Sequence, residues 1–147
     1  MAGPGGLLVR PFAPDDRPRL IELWERCGLT RSWNDPDRDI DRKLDVDGDG
    51  LLVGTVDDRL VASVMAGYDG HRGWINYLAV DPSAQGAGHG AAIMQAAEAR
   101  LRALGCPKIN LQIRTTNLDA IRFYESIGYS MDEVVSMSLR LVDDERR

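Results

Sequence analysis

The chain lacks most of what marks a specialised class of protein. It has two cysteines in 147 residues, Cys27 and Cys106, with neither the number for a disulfide framework nor the spacing of a metal site, and no metal is expected. They suit a reducing cytoplasm, and each reads as a small buried or edge residue before it reads as a catalytic thiol. Lysine and arginine total 18 against 23 acidic residues, a net charge of -5, so no overall basic footprint argues for nucleic acid. No apolar run approaches the length that spans a membrane. Residues 1–6 have neither a charged n-region nor an apolar h-region, which leaves a loose tail and not a signal peptide. Repeats, linkers and low-complexity segments are also missing. What is there is 44% hydrophobic and 28% charged, the ordinary balance of one globular domain over residues 1–147, long enough to bury a core.

The stretch from Val80 to Leu104 organises the rest. An apolar strand pattern over Trp74 to Val80 ends at Asp81-Pro82, and Gly86, Gly88 and Gly90 follow in one loop. Ile93, Met94, Ala97, Leu101 and Leu104 then recur at three and four residues, the spacing of one buried helical face. The first turn of a helix carries unpaired N–H groups and the positive end of the dipole. Glycines let a phosphate approach that backbone closely, so a phosphate-bearing ligand is expected on this loop. It is no P-loop, because no Gly-Lys-Ser/Thr follows. Gly86-Ala87-Gly88-His89-Gly90-Ala91 does satisfy G-x-G-x-x-A, but that dinucleotide fingerprint should adjoin its strand and be answered by an acid about 20 residues on. Here Asp81 to Ala84 intervene, and the next strand ends at Arg114 without an acid.

Periodicity and turn residues place the other elements. A strand is expected over Leu7 to Phe12, a helix from Pro14 to near Gly28, and a second helix opened by Asn34-Asp35-Pro36. Strands Leu51 to Val56 and Leu60 to Ala66 flank the tight turn Asp57-Asp58-Arg59. After the glycine loop come a strand over Lys108 to Arg114, a helix over Asn117 to Ile127 and a last strand over Val134 to Leu141. The order β, α, α, β, β, β, α, β, α, β predicts an α/β fold. Its sheet is mixed and mostly antiparallel, with a parallel β-α-β unit and flanking helices.

Two motifs in the second half then acquire a family. Gln85-x-x-Gly88-x-Gly90 resembles the acyl-CoA signature R/Q-x-x-G-x-G/A of the GNAT N-acetyltransferases. The run from Asn117 through Ala120, Phe123-Tyr124 and Gly128-Tyr129 resembles that family's N-x-x-A-x-x-F/L-Y-x-x-x-G-F/Y. In the first half, Arg31 to Pro36 and Tyr68 to Gly73 are similar to a bacterial subgroup of small GNAT proteins typified by YpeA. The resemblance implies the GNAT acyl-CoA N-acyltransferase fold, with one further short strand near Tyr129 to Asp132. It also implies acetyl transfer from acetyl-CoA to a primary amine by direct attack. By the family's pattern, pantetheine lies along the backbone of Leu78, Ala79 and Val80 like an added strand. The pyrophosphate takes N–H groups from Gln85, Gly86, Ala87, Gly88, His89, Gly90 and Ala91. Asn117 both caps its helix and serves the CoA side. Tyr124 is the expected catalytic acid for the departing thiolate; without the motif it would read as a core aromatic beside Phe123. Trp33, Asn34, Asp35, Tyr68, Asp69 and His71 are expected on the acceptor side. The acceptor is a small-molecule or peptide amine, no nucleic-acid or membrane partner is implied, and a homodimer is open. A non-catalytic acyl-CoA-binding or sensory module and a nucleotide-dependent oxidoreductase are the competing classes.

Departures from the family pattern bear on the chemistry. Ala87 stands where a basic residue is common, and His89, where an apolar one is usual, either reaches phosphate or caps the loop, the cap being the favoured reading. Gln112 occupies the position where ribosomal-protein N-terminal acetyltransferases carry a glutamate proposed as general base, and an amide cannot accept the proton. Deprotonating a lysine-like amine at pH 7 costs about 4.6 kcal/mol, an α-amine only about 1 kcal/mol. Asp69 and His71, acting through a water, are the other candidates for a base, or they are only turn residues. Asp45-Val46-Asp47-Gly48-Asp49-Gly50-Leu51-Leu52 imitates the start of a calcium loop, but the twelfth position is Val56 and not a glutamate. The seven aspartates from Asp35 to Asp49 are a solvated face that borders the expected acceptor side, which makes a cationic acceptor a hypothesis.

Overall fold

Two aspartates in the left-handed region set the first hairpin. Asp57 and Asp58 have φ of 49° and 63°, the conformation of a two-residue turn whose twist matches that of its strands. It joins β2 (Leu51–Val56) to β3 (Arg59–Tyr68). β1 (Leu8–Pro11) pairs with β2, and β4 (Gly73–Val80) with β3, all antiparallel. β5 (Ile109–Leu111) closes the sheet in parallel with β4, giving the order β1-β2-β3-β4-β5. This computed structural model describes residues 6–145. The tail expected over residues 1–6 lies, Gly6 apart, outside them.

Helices cover both faces of the sheet. On one side α1 (Arg17–Arg26) and α2 (Pro36–Asp47) bury Leu20, Leu23, Trp24 and Ile40 against Leu51, Val53 and Leu60. On the other, α3 (His89–Ala103) and α4 (Leu118–Ser126) bury Ile93, Met94, Ala97, Leu101 and Tyr124 against Leu52, Val64 and Ala66. Burial of this apolar surface, at about 25 cal/mol per Å², is the main favourable term in the fold. Leu104, expected on the buried face of α3, is exposed because the helix ends one residue earlier. The false calcium loop is part of α2 and the turn after it; Asp47 is engaged by Arg100 and Lys43. None of the described helices is long and apolar enough to cross a membrane.

The last strand expected from the sequence does not form. Neither Val134 to Leu141 nor Tyr129 to Asp132 pairs with the sheet. The alternation is present, but a strand needs a partner edge, and β5 offers only three residues. The segment is instead tied by side chains, Lys108 to Asp132, Gln112 to Ser136, and Arg38 and Arg42 to Asp144. Between those anchors Val135, Met137, Leu139 and Leu141 stand 87%, 91%, 85% and 88% exposed.

One buried carboxylate has a measurable role in stability. Asp16 is 2% exposed and accepts from Arg10 at 2.6 and 2.9 Å, from the Ala13 N–H at 2.8 Å and from Arg19 at 3.0 Å. The Arg10 hydrogen bond is the largest cause that holds its carboxyl down at about 2. Since the folded value lies below the unfolded one, the contribution is complete above about pH 4 and is lost as pH falls through the folded value. Urea unfolding should show Asp16→Asn costing about 2 kcal/mol at neutral pH, with the difference shrinking as pH approaches the folded value.

Candidate active site

The site begins where β4 loses its neighbour. Gly73, Trp74 and Ile75 pair with Ile109, Asn110 and Leu111, and there β5 stops, short of the Lys108 to Arg114 strand expected. From Asn76 onward the outer edge of β4 has no strand beside it. β4 is also irregular on its inner edge. Ser63 faces Ala79 and Met65 faces Asn76, so Tyr77 and Leu78 together oppose the single residue Val64. This bulge shifts the strand's alternation by one. Ile75, Leu78 and Val80 pack on the α3 side, whereas Tyr77 and Ala79 pack with Trp24 on the α1 side. Tyr77 bears the strain, with φ of 52°, a conformation that costs an L residue about 1–2 kcal/mol.

The open edge is one wall of a cleft of about 760 Å³, within the range of small-molecule sites. Its second wall is the glycine loop. Asp81, 5% exposed, accepts from the Ser83 N–H and hydroxyl and from Arg26, and the Ser83 N–H is the first cause that lowers its pKa. It fixes the turn that leaves β4. Gln85 then donates to the Val80 carbonyl at 3.3 Å. Gly86 and Gly88 have φ of 85° and 83°, with no atom within 4 Å of where a Cβ would stand, so the loop backbone is bare toward the cleft. Gly88 is the N-cap of α3, whose first-turn N–H groups therefore border the same space. Gly90 answers a different need. A Cβ there would lie 3.1 Å from the Phe123 ring, so any side chain would require that ring to give by a few tenths of an ångström.

The third wall is α4. Asn117 caps it, its Oδ1 accepting from the Ala120 N–H at 3.2 Å, and its side chain lines the cleft. Tyr124 sits edge-on to Phe123 and Tyr129 at 5.2 and 5.6 Å. Its ring is 9% exposed, burial pushes the phenol up to about 12, and its hydroxyl has no protein partner among the described residues. A neutral phenol with an unspent proton faces the cleft. His89 also lines it; 5% exposed, with Nδ1 unpartnered, it makes no cap bond to the loop.

Of the cofactor-side residues expected from the sequence, Leu78, Val80, Gln85, Gly86, Gly88, His89, Gly90, Ala91, Asn117 and Tyr124 line this one cleft. Ala79 turns its methyl into the α1 core, and Ala87 is exposed on the loop outside the lining. The acceptor-side expectations divide. Asn34 lines the cleft beside Leu29, Asn76, Tyr77, Gln112 and Ile113. Trp33 lies outside it, with the Arg114 guanidinium 5.7 Å from its ring centre. Asp35 is spent on capping α2, accepting from the N–H groups of Asp37 and Arg38 at 3.0 and 3.3 Å. Tyr68, Asp69 and His71 are a correction, for they sit in the β3–β4 hairpin beside the paired end of β4 and not beside its open edge. Asp69 accepts from the N–H groups of Arg72 and His71 at 2.7 and 2.8 Å, which holds its carboxyl below the usual range and identifies a turn residue. The sequence reading missed Tyr77. A tyrosine inside an apolar strand carries no local sign of a bulge.

Cys27 is no competing nucleophile, since burial raises its thiol above the ordinary value and it donates to the Val80 carbonyl.

With the cleft described, similarity to known proteins can be placed on it. The model of the acetyltransferase (GNAT) family matches residues 16–129. An acetyltransferase of Sodalis glossinidius is 47% identical over 138 residues, covering 93% of this chain and 97% of that protein. One from Pectobacterium atrosepticum is 46% identical over 136 residues, 92% of this chain and 96% of its own. Among solved structures, an aminoglycoside acetyltransferase from an uncultured soil metagenomic sample matches with a TM-score of 0.72 at 22% identity. That match covers 92% of this chain and 97% of the other, and is a likeness of fold. The chain belongs to the GNAT acetyltransferase family, and its activity is acetyl transfer from acetyl-CoA.

The residues present fit that substrate, because bare loop backbone, a helix N-terminus and an unpaired strand edge adjoin in one cleft. Gly88→Val should let the loop relax out of its left-handed turn, and regaining the binding shape then costs about 1–2 kcal/mol. Calorimetric titration with CoA is expected to show affinity falling about tenfold, with little change in Tm. Equal affinity in parent and variant would exclude the loop from binding.

Proposed function

We propose that the enzyme acetylates a primary amine by direct attack of the amine on the thioester carbonyl, with Tyr124 as the acid. What supports this is the convergence of the open β4 edge, the bare loop and the unpartnered Tyr124 hydroxyl on one cleft. In this reading the thioester lies along Leu78 and Val80, with the backbone of Ala79 between them. The pyrophosphate rests on the backbone from Gln85 to Ala91, and Asn117 borders the CoA side. Attack forms the N–C bond and breaks the C–S bond. The Tyr124 proton goes to the departing sulfur, the amine releases its own to solvent, and the phenolate takes a proton back from solvent. The phenol is protonated at neutral pH, as it would be at its ordinary value. Burial, which holds it at about 12, makes it a weaker acid, so its part is to keep a proton in place beside the sulfur. No covalent enzyme intermediate is needed, since the thioester is already activated and orientation supplies much of the rate.

The acceptor end points to an amine of low basicity. Gln112 lines that end and cannot serve as a base, and Asp69 and His71 lie at the hairpin. An α-amine reaches its reactive form at pH 7 for about 1 kcal/mol, against about 4.6 kcal/mol for a lysine-like amine. The reading is therefore of a small-molecule or peptide acceptor with such an amine, bordered by Asn34 and Tyr77, in a single cytoplasmic domain over residues 1–147. The free thiols of Cys27 and Cys106 agree with that compartment, and near-full coverage of the relatives' length agrees with the single domain. Thiol release on a panel of α-amine and alkylamine acceptors tests it. Tyr124→Phe is expected to lower kcat about 10²–10³-fold with the KM for acetyl-CoA little changed. An unchanged kcat would remove the tyrosine from the chemistry.

We also propose a homodimer. The alternating segment Val135 to Leu141 is exposed and has no strand partner among the described residues, and two copies related by a two-fold axis would pair it with its own copy. Sedimentation equilibrium should find a dimer that Leu139→Asp with Leu141→Asp converts to monomer. A parent that is monomeric at every concentration would refute it.

A further inference from the structure

Ser63 is a polar residue where an apolar one would fit. It has 0% exposure, and its neighbours Ala62 and Val64 are equally buried. A buried hydroxyl costs free energy unless it is bonded, and alanine would fill the strand with nothing to satisfy. The Ser63 hydroxyl accepts from Trp24 Nε1 at 2.9 Å and donates to the Tyr77 carbonyl at 2.8 Å. Trp24 and Tyr77 also stack, with ring centres 3.8 Å apart and planes 14° from parallel. The Tyr77 hydroxyl, in turn, donates to Asp39 Oδ2 at 2.6 Å. Three elements thus hold one strained residue, α1 by its ring, β3 by its carbonyl and α2 by its hydroxyl.

The carbonyl is the consequential part. No peptide among the described residues is cis, and in a trans peptide the C=O and the following N–H point in opposite directions. With the Tyr77 carbonyl turned to Ser63, the Leu78 N–H is directed away from Ser63, and Leu78 lines the cleft. A donor fixed in advance stabilises negative charge as it develops on a carbonyl oxygen, without reorganisation during the reaction.

We propose that Ser63 and Trp24 are positioning residues for acetyl transfer, holding the Tyr77–Leu78 peptide so that the Leu78 N–H meets the thioester carbonyl. The proposal rests on the reading that acetyl-CoA lies along the open edge of β4. Neither residue touches the reacting atoms; both act through the Tyr77 carbonyl.

The test needs no knowledge of the acceptor. Isotope-edited infrared spectroscopy of acetyl-CoA labelled with ¹³C at the carbonyl reports the hydrogen bond directly. Bound to the parent protein, the carbonyl stretch should lie below its value in solution. Ser63→Ala should lose about half or more of that displacement. Its CoA affinity, measured by calorimetry, should stay within about threefold of the parent's. Ser63→Cys, which keeps a weak donor, should recover part of the displacement. Trp24→Phe, which removes Nε1–H and keeps an aromatic ring, should lose displacement in the same direction. It carries the test should Ser63→Ala fail to fold.

A parent-like spectrum in either variant that still binds acetyl-CoA would overturn the positioning role, as would a parent that binds with no displacement. A parent that binds no CoA would instead sink the assignment of the cleft and the proposal with it, an outcome seen before any variant is made.

Discussion

One extra residue in β4 is the constraint on which the rest depends. Opposite Val64 the strand spends two residues, Tyr77 and Leu78, and every side chain beyond changes face. Before the bulge Ile75 points toward α3; after it Leu78 and Val80 do, while Ala79 joins the α1 core. A regular strand would put Ile75 and Ala79 on the same face. The irregularity coincides with the point at which β5 ends, so the sheet opens where β4 also departs from regularity. The two helical layers are built to accept this. Trp24 and Ser63 on one side and Phe123 and Tyr124 on the other meet a strand whose pattern has already shifted.

Much of the cleft was legible in the sequence, because its parts are local. A glycine loop declares itself through spacing, and left-handed φ at Gly86 and Gly88 is what that spacing encodes. Asn117 is visible as a cap and Tyr124 as part of a motif seven residues further on. Asp57 and Asp58 made the hairpin readable for the same reason. The elements misjudged are those that depend on distant partners. Val134 to Leu141 alternates as a strand should, but alternation says only that one face wants cover, not that an edge is there to pair with. Asp69 and His71 come just before β4 in sequence, and the topology sets them at its paired end. Tyr77 could not be found at all, since its φ follows from the register of β3 against β4 and from no neighbour in the chain.

The chemistry inherits that division between local and distant. Tyr124 owes its raised pKa to burial alone, so any substitution that wets the α4 wall would lower that pKa without touching the phenol. At the acceptor end Gln112 offers no base, the Tyr77 phenol, raised by burial, already donates to Asp39, and the aspartates of α2 are turned to other tasks. Asp35 caps a helix, Asp39 holds Tyr77, and Asp47 meets Arg100. An acidic face that looked like a magnet for cations is largely a set of structural bonds.

The contact at Gly90 has a mechanical meaning. The first turn of α3 borders the phosphate side of the cleft, and its missing side chain admits the ring of Phe123, the residue next to Tyr124 in α4. The first turn of α3 and the Phe123–Tyr124 turn of α4 therefore meet in direct contact. In the proposed reading, the seat of the pyrophosphate and the phenol are spaced across the width of that one aromatic ring.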